Sequence, residues 1–353
     1  MFFPGVGIEM NPLYLILLGF ALGVCTGFFG IGGGFMVTPG LNMLGMPMPY
    51  AIGTDMLQMG GKAVISTLKH GKLGNVDIRL GLVMTIGTMS GVEAGKQLVM
   101  YLEGVGNVDT VVRYIYIVFL GGVGLFMLRE SRRSMATRSD ITNARDVVQN
   151  PFIKRVQALN VPPFMSFPVA GITRMSVWVP IGIGFATGLL AGLLGVGGGF
   201  IRMPALIYIM GLPTVVAIGT DLFEIIISGS YGAITYAWSG RVDIIVAAIL
   251  LASAAVGVQL GVVATKYVRG DFLRQFFAWV IVLSGISVAM KQAGTIMEIT
   301  FLKDASIYLL FTAAGGIALV IALLLLAGYR RRPRSADMLQ AQHSTPDTRH
   351  GGH

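Results

Sequence analysis

Long apolar runs separated by short polar turns make up most of the chain, and their spacing predicts membrane-crossing helices. Val111 to Leu128, Ile244 to Ala264 and Ile307 to Gly328 are each long enough, at about 1.5 Å per residue, to cross a hydrocarbon core of about 30 Å. Strands of alternating polarity are absent from the sequence pattern, so it reads as helices and not as a barrel. We place a broken segment at about 12–45 and helices at about 50–68, 79–101 and 110–129. A polar, Pro-containing stretch at 130–174 follows. A second broken segment at about 176–211 leads into helices at 214–238, 243–265 and 271–290, and a further span lies at 304–328.

The polar positions inside this pattern repeat. The first copy reads Gly30-Ile-Gly32-Gly33-Gly34-Phe35, Pro39, Gly45-Met-Pro47, Ala51-Ile-Gly53-Thr54-Asp55 and Gly74-Asn-Val76-Asp77. The second reads Gly195-Val-Gly197-Gly198-Gly199-Phe200, Pro204, Gly211-Leu-Pro213, Ala217-Ile-Gly219-Thr220-Asp221 and Gly240-Arg-Val242-Asp243. Gly30 and Gly195 are offset by 165 and Asp77 and Asp243 by 166, so one residue is gained between the copies. The chain is a duplication.

Composition agrees with a membrane solvent. The 353 residues are 54% hydrophobic and 12% charged, about half the charge of a soluble domain, and the mean hydropathy is +0.74. The first residues lack a basic stretch and lead directly into the repeat, which argues against a cleaved signal peptide. The single cysteine, Cys25, excludes an internal disulfide and a thiolate metal cage, and it reads as a small packing residue. The formal charge of +9 does not point to nucleic acid, because the basic residues gather between Arg129 and Arg174 and at Arg330 to Arg334, flanking apolar spans. Such clusters mark the cytoplasmic side.

Parity then fixes the topology to be expected. If the linker and the tail share the cytoplasm, an even number of crossings separates them, so 176–211 is a re-entrant segment or a pair of short crossings. Lys69, Lys72, Arg79, Lys266, Arg269 and Arg274 then fall inside, and the acidic turn Glu103 to Asp109 outside. The expected fold is an all-α polytopic membrane protein of two inverted-topology repeats, each opening on a Gly-broken helix-loop-helix segment. Residues 12–129 form the first repeat, 130–174 a basic cytoplasmic linker, 175–290 the second repeat, 304–328 an additional helix and 329–353 a disordered cytoplasmic tail. The N-terminus lies outside. Inverted repeats of this kind characterise secondary transporters with a site near the midplane.

The candidate site residues follow from what a bilayer tolerates. The clusters Gly32, Gly33, Gly34 and Gly197, Gly198, Gly199 expose backbone N–H groups that hydrocarbon leaves unsatisfied. Two readings stay open for them: close helix packing through small residues, or helix breaks that offer N–H groups to an anion. They are not nucleotide loops, since no Lys-Ser/Thr follows and no strand precedes. Thr54 or Asp55, and Thr220 or Asp221, read as N-caps of the next helix; the alternative is that the Thr hydroxyls donate to a substrate oxygen and the Asp pair carries a coupling proton. Lys62, Glu93, Lys96 and Glu224 lie within predicted spans, with Arg202 just after the second cluster, and each is costly in lipid. Glu93 and Lys96 are spaced to pair with each other, and Lys62 and Glu224 come from equivalent helices of opposite orientation and are candidates to pair across the repeats. His70 reads as a solvated turn residue, and Tyr114, Tyr116, Trp178, Tyr236 and Trp238 as interface anchors. His343, His350 and His353 in the tail are at most adventitious metal ligands. No nucleophile and base arrangement, cofactor motif or metal set is present, which argues against an enzyme.

The two glycine, Pro and Gly-Thr strings closing on Gly-x-Val-Asp resemble the duplicated signature of the TauE/SafE sulfite-exporter family, also called the sulfonate uptake permease group. The resemblance covers most of residues 12–290. The family pattern carries Ser after Gly-Thr where this chain has Asp55 and Asp221. The resemblance implies movement of sulfite, sulfoacetate, other sulfonates or related oxyanions across the cytoplasmic membrane without ATP; a proton or a sodium ion is the candidate coupling partner, and neither the ion nor the direction follows from the sequence. A channel and a non-transporting membrane scaffold are the alternatives, and oligomeric state is left open.

Overall fold

A computed structural model describes residues 2–29, 34–71, 74–137, 151–264 and 270–330. After a small antiparallel pair, β1 (Phe2–Phe3) and β2 (Ile8–Glu9), the first half consists of α1 (Pro12–Phe29), α2 (Gly34–Met43), α3 (Met48–Gly71), α4 (Ile78–Gly104) and α5 (Val108–Thr137). A short helix α6 (Pro151–Gln157) and a hairpin of β3 (Phe164–Phe167) and β4 (Ile172–Ser176) precede the second half. That half consists of α7 (Trp178–Leu194), α8 (Gly199–Ala205) with a π-helical turn at Leu206–Met210, α9 (Thr214–Trp238), α10 (Ile244–Ala264) and α11 (Gly270–Ile296). α12 (Thr300–Arg330) is added at the end. Among the described residues, four helices are long and apolar enough to cross a membrane: those holding Val108–Arg129, Thr214–Trp238, Ile244–Gly261 and Ala278–Ile296. The protein is an all-α, multi-pass membrane protein.

Helix ends explain several of the repeated residues. Asp77 caps α4 by accepting the Leu80 N–H at 3.0 Å, and Asp243 caps α10 by accepting those of Ile245 and Val246 at 3.0 Å. Such caps stabilise a helix by about 1 kcal/mol. The sequence reading that Thr54 or Asp55, or their second-half equivalents, cap the next helix is corrected here. α3 starts at Met48 and α9 at Thr214, each just after a proline, so Gly-Thr-Asp lies in the second turn. Pro204 lies inside α8, and the π-helical turn follows it directly, as expected where a missing N–H upsets the ladder.

The halves interlock. Helix α1 packs along α10, and α7 along α4, so that the first helix of each broken segment lies on the opposite half. Small residues permit it: Gly19, Gly23 and Gly27 lie against Leu250, Ala254 and Val258, and Gly184, Gly188 and Gly192 lie against Met84, Thr88 and Val92. A Cβ at any of these glycines would overlap a backbone carbonyl across the interface. Gly87, Gly91, Gly95 and Gly257 return the contact from the partner helices. Backbones that approach this closely gain dispersion contacts, which is how helices associate where lipid removes the hydrophobic drive. The two second helices, α3 and α9, cross where Gly60 meets Gly229.

Turn contacts show which helix ends lie together. Asp109 at the start of α5 accepts from Asn42 and from the Met48 N–H, each at 3.0 Å, and Arg241 of the α9–α10 turn bonds Glu103 and Tyr50. Asp243 also lies against Gly5, just ahead of α1. At the opposite end, the Ala170 N–H of the β3–β4 hairpin donates to Asp77 at 3.0 Å and Gln157 donates to the Met210 carbonyl at 2.8 Å. The pair α1–α2 therefore enters and leaves at one end of the bundle, and α7–α8 at the other.

The stretch 130–174, expected to be a polar linker, contributes the last turns of α5, helix α6 and a hairpin that closes this second end. Residues 138–150, the tail after Arg330, and Lys72 and Arg269 lie outside the described residues.

Candidate functional site

The broken segments meet inside the bundle. Left-handed backbone at Gly195, Gly197 and Gly198, with φ of +73°, +69° and +71°, ends α7 and starts α8, a conformation that costs glycine little. Gly34 at the head of α2 lies against the Gly195 carbonyl and Val196, so the two glycine clusters touch. The Met59 sulfur of α3 lies against both Gly34 and Gly197 and fills the space between them. Gly32 and Gly33 lie outside the described residues. Tyr236 and Tyr116, read from sequence as interface anchors, are instead fully buried. Their hydroxyls donate to the carbonyls of Gly192, at 2.7 Å, and Leu194, satisfying the C-terminal end of α7 at its break. Tyr114, Trp178 and Trp238 are exposed.

Around this junction the halves present different charges at equivalent positions. In the first half, Asp55 accepts from the Thr38 hydroxyl at 2.9 Å and from the Gln58 amide at 2.7 Å. Lys62, two turns along α3, lies within electrostatic reach of Asp55 and Cys25. Its ammonium is buried and has no hydrogen-bond partner among the described residues. In the second half, Arg202 donates through one nitrogen to Asp221, at 3.1 Å, and to Glu224, and through Nε to Thr187 at 3.2 Å. Glu224 also accepts from Ser228 at 3.1 Å.

The pairing of Lys62 with Glu224 expected from the sequence is therefore not found. Glu224 is drawn to Arg202, whose planar fork reaches both carboxylates from the adjoining short helix, while Lys62 faces Asp55 on its own helix. Glu93 and Lys96 do pair, at 3.6 Å, on a partly exposed face of α4.

Thr54 and Thr220 take up matching positions. The Thr54 hydroxyl accepts the Asp243 N–H and the Thr220 hydroxyl accepts the Asp77 N–H, each at 3.0 Å. Gly53 and Gly219 leave room for the Arg241 and Asn75 carbonyls of the same turns. Gly-Thr of each half thus seats the Gly-x-Val-Asp turn of the other.

Sequence reasoning did not single out Met59, Thr38, Thr187 or the Gly-xxx-Gly stripes. The stripes were legible as i, i+4 glycines; the other three depend on which helix faces which. Among the described residues no group of His, Cys, Asp or Glu is placed to hold a metal ion.

The duplicated strings are thus the parts that join the halves at a buried, charged junction, and the chain can be compared with known proteins on that basis. A model of the family described as Sulfite exporter TauE/SafE matches residues 15–288. The chain belongs to the TauE/SafE family. It is similar to the probable membrane transporter protein YunE of Bacillus subtilis, 26% identical over 78% of this chain and 96% of that one. A probable membrane transporter protein of Xylella fastidiosa is 26% identical over 78% of this chain and 92% of its own length. YjnA of Bacillus subtilis, also described as a probable membrane transporter protein, is 23% identical over 78% of this chain and 98% of its own. No solved structure matches. The TauE/SafE match spans both glycine clusters, both Gly-Thr-Asp strings and all the buried charges described above.

Proposed function

We propose that this TauE/SafE protein is a secondary transporter that exports a small anion, of the sulfite, sulfonate or related oxyanion class, across the cytoplasmic membrane. One observation carries the reading: two helix pairs broken at glycine clusters come in from opposite ends and touch at Met59 of α3, and Lys62, about one turn further along the same helix, is a buried cation whose donors are unfilled. A bilayer-buried ammonium needs acceptors, and an oxyanion supplies them. Gly34 and Gly197 to Gly199 would line the site with Lys62, and Thr54 and Thr220 would hold the turns that set its walls. Met59 occupies this space and would swing aside for the anion. The opposed entry of α1–α2 and α7–α8 supports inverted repeats. Basic clusters at the end holding residues 151–177 support a cytoplasmic face there and an external N-terminus. Membership of a family of sulfite exporters supports sulfite and the outward direction.

Counterflow in proteoliposomes tests this. Preloaded unlabelled sulfite or methanesulfonate is expected to accelerate uptake of the labelled anion, saturably. Conductance without counterflow would establish a channel instead, and neither would establish a scaffold.

A further inference from the structure

The second half carries more acid than base at its buried centre. Asp221 and Glu224 are 1% and 0% exposed, and both converge on one nitrogen of Arg202, itself 0% exposed. Two carboxylates against one guanidinium leave one negative charge in excess. Each carboxylate keeps an oxygen without a partner among the described residues, as does the second terminal nitrogen of Arg202. The unpartnered Asp221 oxygen lies against Gly199, at the glycine junction.

The groups facing this triad do not cancel the excess. α3, which packs against α9, carries one buried acid and one buried base, Asp55 and Lys62, with neutral Gln58; α7 contributes Thr187 and α9 itself Ser228. The Glu93–Lys96 pair on α4 is also balanced and reaches α9 through Tyr231. An uncompensated buried charge costs several kcal/mol, and two carboxylates on one site relieve it by sharing a proton. A sodium ion would call on several oxygens at once, whereas a proton needs only one of the two free carboxylate oxygens.

We propose that Asp221 and Glu224 share one proton over Arg202, so that this triad is the proton-coupling site of the transporter, separate from the anion held by Lys62. The proposal rests on the transport reading for the word coupling, but not for the proton. Binding takes one proton from water to a carboxylate oxygen and brings the triad from one net negative charge to none. When the proton leaves, the net negative charge of the triad, which reaches the junction at Asp221 beside Gly199, repels an anion. When it is bound, that repulsion is gone. Proton and anion are thereby linked.

Infrared pH-difference spectra of the full chain in lipid vesicles test the proton without any substrate. The wild type is expected to keep a protonated-carboxyl band at neutral pH, and both Glu224→Gln and Asp221→Asn, which are near-isosteric, to lose it. A wild type without the band would overturn the proposal, as would a band that survives both substitutions or one lost only in Asp55→Asn. In a second arm, a pH gradient should drive net movement of methanesulfonate, an anion that stays ionised throughout the range. In Glu224→Gln, exchange of methanesulfonate should persist while gradient-driven movement is lost. Gradient-driven movement that persists in this variant, or that follows sodium instead of pH, refutes proton coupling at the triad. A wild type that shows the band but moves no methanesulfonate refutes the transport reading and leaves the shared proton standing.

Discussion

Replacing Thr54 and Thr220 with valine separates the two roles open to these hydroxyls. Valine keeps the shape and removes the oxygen that accepts the Asp243 N–H in one half and the Asp77 N–H in the other. Both turns are buried, Asp243 at 3% and Asp77 at 1% exposure, so water cannot replace the lost acceptor. A buried donor left unpaired costs about 1–3 kcal/mol, and the two contacts share no residue, so the double variant should lose about 2–6 kcal/mol by addition. Denaturant unfolding in detergent, followed by tryptophan fluorescence, measures it. Each single variant should fall by about 1–3 kcal/mol, with whatever anion affinity the folded fraction shows left unchanged. If either variant kept wild-type stability within about 0.5 kcal/mol but lost anion binding, the hydroxyl would serve the ligand and not the turn.

Lys62→Met should destabilise the fold by removing the buried cation that faces Asp55, which keeps only its hydrogen bonds from Thr38 and Gln58. Adding Asp55→Asn should recover most of that while adding Glu224→Gln should not; the opposite order in a double-mutant cycle would restore the Lys62–Glu224 pair. The recovered Lys62→Met/Asp55→Asn protein should bind sulfite at least about tenfold more weakly, roughly 1.4 kcal/mol, by calorimetry. Gly188→Val should abolish folded protein in size-exclusion profiles because its Cβ falls on the Thr88 carbonyl, while Gly182→Val, which meets nothing within 4 Å on the same helix, should leave them unchanged. In a Cys25→Ser background, a thiol at exposed Asn107 should be labelled from outside intact cells and one at exposed Val161 only after permeabilisation; labelling of Val161 from outside would reverse the orientation.

The sequence by itself determined what each stretch of chain had to be. Apolar run lengths placed most helix ends to within about four residues, because a bilayer enforces length and internal hydrogen bonding on every span, while α5 and α11 run on past their apolar stretches to Thr137 and Ile296. Gly30 to Gly34 and Gly195 to Gly199 announced breaks, because glycine is the residue that bends a helix at little conformational cost, and the repeated offset announced two halves. The buried charges were visible as charges in apolar surroundings. Their partners were not. Arg202 and Glu224 are 22 residues apart on two helices whose relative rotation no local pattern encodes, while Lys62, equally plausible for Glu224 by sequence, turns toward Asp55 on its own helix. The role of Gly-Thr was hidden for the same reason, since the turn that each threonine seats belongs to the other half, 143 or 189 residues away. Local propensity and the bilayer act on one segment at a time, whereas charge pairing and carbonyl contacts act between segments. Only the crossing of α3 with α9, and of each broken helix with the opposite half, decided which of them meet.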